Sequence, residues 1–107
     1  MSRNALNTRA APVTEVIARL TVPTVLRPDV QLLAVRCGLE LEPTDGGRAM
    51  LRAGRVYYDA RQQPDDKDRE IARCVARYAL RCCEVPATRT NVQEVTEAIL
   101  NWSGVKP

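Results

Sequence analysis

The sequence predicts an α+β domain: two N-terminal helices, a small three-stranded antiparallel sheet, a long central helix and a C-terminal helix. Three observations carry that expectation. Apolar residues recur at helical spacing in four separate stretches, one of them longer than the rest. Between the second and third stretches the period changes to two, around turns rich in Gly and Asp. The links between these short strands are too short for the crossovers that parallel neighbours use, so the strands are expected to run antiparallel.

Residues 1–11 are polar and without period and are read as a tail, leaving 12–104 as a single domain. The first helix spans 12–21: Val13, Val16, Ile17 and Leu20 share a face, Pro12 opens it and Pro23 stops it. The prolines of the following stretch, 22–28, push their neighbours out of the helical region and make it an extended connector. Pro28 and Asp29 suit a helix start, Val30, Leu33, Ala34 and Cys37 line one face, and Gly38 is a natural C-terminal cap.

Leu39-Glu-Leu-Glu-Pro alternates as a strand and is expected to end at Pro43, with Thr44-Asp-Gly-Gly as a turn. Residues 49–53 and 55–60 read as two further strands around Gly54. The central helix, about 65 to 83, opens with Asp65 and Asp66 and carries the continuous apolar stripe Ile71, Cys74, Val75, Tyr78, Ala79 and Cys82 before Pro86 ends it. Thr90 or Asn91 is placed to cap the last helix, whose apolar face is Val92, Val95, Ile99 and Trp102 and whose end is Gly104.

Composition narrows the chemistry. The 107 residues are 45% hydrophobic and 27% charged, values of a folding chain and not of a disordered one. Aromatics are 4%, so stacking platforms for single-stranded nucleic acid are scarce. There is no histidine, which closes Ser/His and Cys/His nucleophile activation, imidazole general bases and the H-E-x-x-H metallopeptidase site. The net charge of +3 is too mild to argue for nucleic acid by itself. No apolar run is long enough to span a bilayer and the first residues lack a signal-like apolar stretch, so a cytoplasmic protein with no membrane contact is expected. Cys37, Cys74, Cys82 and Cys83 are then read as free thiols.

Two constellations bear on function. Arg69, Arg73, Arg77 and Arg81 recur every four residues on the central helix, spread over a band of roughly 120°. They form either a basic ridge for phosphate or an acidic surface, or a solvated face paired with nearby Asp and Glu. Joined to Arg48, Arg52 and Arg55 of the hairpin, the same ridge gives the alternative reading of a nucleic-acid-binding protein. The carboxylates Glu40 with Glu42, and Glu94 with Glu97, share faces but read as ordinary exposed pairs. Gly46-Gly47 lacks the Lys-Ser/Thr of a phosphate loop.

The order of elements, the Pro28-anchored helix with its Gly38 cap, Gly54-Arg-Val-Tyr-Tyr-Asp-Ala, and Asp68-Arg-Glu-Ile-Ala-Arg-Cys-Val-Ala-Arg-Tyr-Ala-Leu together resemble the ImmA/IrrE family of zinc peptidase-like domains, over about residues 12 to 103. In that family the long helix carries Ala-His-Glu-Leu-Gly-His; the matching text here is Ala72-Arg-Cys-Val-Ala-Arg. Arg73 and Arg77 stand at the ligand positions and Cys74 at that of the general base. A guanidinium has no lone pair for a metal, so the resemblance implies a degenerate site with no metal, no cofactor and no catalysis. It further implies a regulatory module, phage or mobile-element encoded, that binds a protein such as a transcriptional regulator. Self-association through Trp102 or the last helix is a further expectation; the cysteines read best as buried structural thiols, with a thiol-dependent enzyme or redox sensor at Cys74 or Cys83 as a third alternative.

Overall fold

The computed structural model describes residues 12–24 and 27–106. The tail expected over 1–11 lies outside the described residues. Helices α1 (Val13–Leu20) and α2 (Val30–Arg36) are followed by strands β1 (Glu40–Thr44), β2 (Met50–Arg52) and β3 (Arg55–Asp59), then by helices α3 (Pro64–Cys82) and α4 (Arg89–Ser103). The α+β class and the order of elements are those expected.

The sheet departs from expectation. Its order is β1-β3-β2, with β3 parallel to β1 and antiparallel to β2. The expectation of an all-antiparallel sheet is thus corrected. Its premise was that parallel neighbours need a long crossover, but here β2 itself is the return path: it runs back along the far edge and the two-residue turn Ala53-Gly54 brings β3 up between its predecessors. Both turn residues have positive φ, 51° and 76°, the backbone of a tight hairpin turn whose twist matches the strands. Pro43 does not end β1; it sits opposite Tyr58 on an edge strand, where a missing N–H is tolerated, and Thr44 continues the strand with its hydroxyl donating to the Tyr58 carbonyl at 3.0 Å.

Helix ends follow local chemistry. The Asp29 carboxylate accepts from Leu32 N–H at 3.0 Å and caps α2. Thr88 caps α4, accepting from Asn91 N–H at 3.1 Å, while Asn91 uses its side chain on the Pro86 carbonyl. The cap therefore lies two residues before Thr90, because the chain already turns at Pro86. Helices α2, α3 and α4 all close the same way, with a residue in the left-handed region: Gly38, Glu84 and Gly104.

The core is aliphatic. Val30, Leu33, Val56, Ile71, Val75 and Ile99 are fully enclosed, and α3 runs through the middle of it. One face of the sheet, with Val56 buried and Leu41, Leu51 and Tyr58 packed beside it, rests on this core. Helix α4 returns along α3: Arg69 near the start of α3 donates to the Lys106 carbonyl just beyond α4, at 2.9 Å. Trp102 donates from its indole N–H to the Val22 carbonyl, 3.0 Å away, and so pins the stretch after α1 to α4. The residue expected to seek a second copy has a partner within the chain. None of the described helices is long and apolar enough to cross a membrane.

Candidate functional site

Burial of one side of α3 decides what its other side presents. Ile71, Cys74, Val75 and Leu80 face the core, which turns Asp66, Arg73 and Arg77 away from it. The apolar face of α4 packs beside them, and between the two helices and the chain entering β2 lies a cleft of about 980 Å³. Arg69, Arg73 and Arg77 form its α3 wall, and Arg89, Gln93 and Glu97 its α4 wall. Cys74, Val92, Thr96 and Leu100 make the floor. Arg48, Ala49, Gln62 and Glu70 gather at the remaining side.

The charges in the cleft are unequally satisfied. Arg69 pairs with Asp66 at 2.7 Å, one turn earlier on the same helix. Glu97 accepts from Gln93 at 3.1 Å. Glu70 is the natural i, i+3 partner of Arg73, but both its oxygens are committed: Oε1 accepts from Ala49 N–H and Oε2 from the Gln62 amide, each at 2.8 Å. These bonds tie the loops at either end of the hairpin to α3. They leave Arg73 without its local carboxylate, and the next turns offer Arg77 and Arg81 instead of acids. Arg48, Arg73, Arg77 and Arg89 accordingly form no ion pair with any described residue. Gln62 Oε1 is buried with no donor, an arrangement that costs about 1–3 kcal/mol when left unmet.

Burial works against activation of Cys74 and Cys37. Cys74 is enclosed beneath the cleft, and burial pushes its pKa up, against a smaller downward pull from Arg77 and Arg73. A catalytic thiolate needs the opposite balance. Cys37 is likewise raised by burial, Cys83 Sγ accepts from Arg19 at 3.5 Å, and Cys82 is exposed. Among the described residues no group of three or more Cys, Asp or Glu is placed to share a metal ion. The two guanidiniums of Arg73 and Arg77, at the positions that the resemblance matches to zinc ligands, have no lone pair to offer and do not fit that metal.

The seven arginines expected to bind divide into two groups. Arg48, Arg69, Arg73 and Arg77 line the cleft; Arg81 lies outside its lining. Arg52 and Arg55 occupy a row across the outer face of the sheet, where Arg55 is held by Glu40 at 2.6 Å. That pair also accounts for Glu40. Arg89, Gln62 and Glu70 belong to the site but were not candidates from the sequence. Their signal is tertiary: Arg89 reaches the cleft because α4 folds back on α3, and Glu70 matters through the two bonds that occupy it. A scan against protein-family models and searches of curated proteins and of solved structures found no match.

Proposed function

We propose that the chain is a non-catalytic, metal-free binding domain whose α3–α4 cleft receives a segment of a protein partner. The observation that carries the reading is the pair Arg73 and Arg77, one turn apart on the cleft wall and without a carboxylate partner among the described residues. Four exposed guanidiniums around one concavity, with no ion pair among the described residues, repel one another, and an anionic ligand would offset that repulsion. The resemblance to ImmA/IrrE-type domains supports the same position on α3 as the working face, with arginine where that family holds zinc. It also points to a transcriptional regulator as the partner, to a cytoplasmic setting, and to a phage or mobile element as the source.

The test is a set of immobilised synthetic peptides probed with the wild-type chain and with the Arg73→Glu, Arg77→Glu variant. The reading expects retention by wild type, loss in the variant, peptides recovered intact by mass spectrometry, and no stoichiometric zinc by elemental analysis. New peptide termini, bound zinc, or retention indifferent to the double variant would overturn it.

A further inference from the structure

Resting on the proposal that the cleft holds a protein segment, we infer that its occupant is an extended acidic peptide in which carboxylates alternate with small apolar side chains. The walls and floor of the cleft differ in chemistry, and that difference sets the pattern. The walls carry the unpaired arginines Arg73 and Arg77 on α3 and Arg89 on α4, while the floor between them is Cys74, Val92 and Leu100. An extended chain sends successive side chains to opposite sides, so a segment lying along the cleft turns one set toward Arg73 and Arg77 on α3 and the alternate set toward Val92 and Leu100 on α4, and alternation is the sequence pattern that meets both.

Spacing agrees. Arg73 and Arg77 are separated by a rise of about 6 Å along α3. Alternate residues of an extended chain recur about every 6.6 Å. The difference is within the reach of a guanidinium on its flexible stem. A partner helix with acids every fourth residue has the same rise, but it needs a broad apolar stripe to pack on, and the floor offers it Cys74, Val92 and Leu100.

Nucleic acid fits less well. None of Tyr57, Tyr58, Tyr78 or Trp102 lines the cleft, so bases have no aromatic platform there.

Fluorescence anisotropy with three labelled probes tests the inference: a dodecapeptide alternating Glu and Val, a peptide of the same composition with all Glu in one block, and an oligothymidylate of equal charge. The alternating peptide is expected to bind at least about tenfold more tightly than the block peptide, with Arg73→Gln and Arg77→Gln each weakening it by about tenfold or more. Both arginines are exposed, and circular dichroism of the variants is expected to match wild type. Equal binding of the two peptides, still dependent on Arg73 and Arg77, would overturn the extended pattern and leave the protein-binding reading standing. Tighter binding of the oligothymidylate, with steep loss in salt, would overturn both, as would the absence of binding by all three probes.

Discussion

The two faces that carry arginine obey different rules. On the outer face of the sheet Arg55 lies directly across from Glu40, bonds it through two nitrogens, and is neutralised by its neighbour. In the cleft Arg73 has an acid one turn away, but Glu70 is already occupied by Ala49 and Gln62, and Arg77 has none. Arginine count and spacing look alike in the two regions. What separates Arg55 from Arg73 is whether the local carboxylate is free to pair; their neighbours cross the divide, since Arg52 on the sheet forms no ion pair with a described residue and Arg69 in the cleft pairs with Asp66.

Charge reversal breaks the comparison most sharply. Arg73→Glu with Arg77→Glu is expected to reduce acidic-peptide binding by about 100-fold or more, since two charge-assisted contacts are lost. Arg52→Glu with Arg55→Glu is expected to leave it within about threefold, through long-range charge alone. Anisotropy titrations of both variants against one peptide read the contrast.

The thiols give the next largest contrast. Iodoacetamide at pH 8 is expected to modify exposed Cys82 at least about 100-fold faster than Cys74, followed by peptide mass mapping. The pH dependence has a definite sign. The ordinary value for this thiol is 9.0 and the fold raises it, so the folded chain keeps the proton where the unfolded chain releases it. The stabilisation is complete below about pH 9 and is lost as pH rises through the folded value. Cys74→Ala is expected to flatten that alkaline limb in urea titrations.

Helix ends supply a smaller effect. Gly38 and Gly104 occupy the left-handed position after α2 and α4, but Glu84 holds it after α3 with φ of 59°. Glu84→Gly is expected to raise stability by about 1 kcal/mol, because glycine adopts this backbone without the Cβ conflict. Peptide affinity is expected to stay unchanged, since Glu84 does not line the cleft. Smallest of all, Arg77→Gln is expected to stabilise the chain by about 0.2–0.5 kcal/mol by removing like charges at i, i+4, with the gain shrinking in salt.

Local signals in the sequence read well. The Asp29 start of α2 and the glycines after α2 and α4 each depend on neighbours within a turn or two, and each is where its residues predict; the expected α3 stripe holds at Ile71, Cys74, Val75 and Ala79, but Cys82 is exposed and Leu80 is buried instead. The parallel pairing of β1 with β3 was not legible, because it depends on a strand inserting between two others, and no residue in 40–59 encodes that order by itself. The site was legible in part. Spacing marked Arg69, Arg73 and Arg77 on one helix, but could not say that Arg81 falls outside the cleft or that Arg89 joins it from α4. Nor could it separate a paired arginine from an unpaired one, since the pairing of Arg55 and the occupation of Glu70 are both contacts between distant segments.

The most direct measurement is a ¹⁵N–¹H correlation titration of the chain with the alternating Glu/Val peptide. The account predicts shifts concentrated at residues 69–77 of α3, 89–97 of α4 and the Ala49 amide, with the strand amides of 40–44 unmoved. Shifts centred on the sheet face around Arg52 and Arg55, or none at the cleft at saturating peptide, would contradict it.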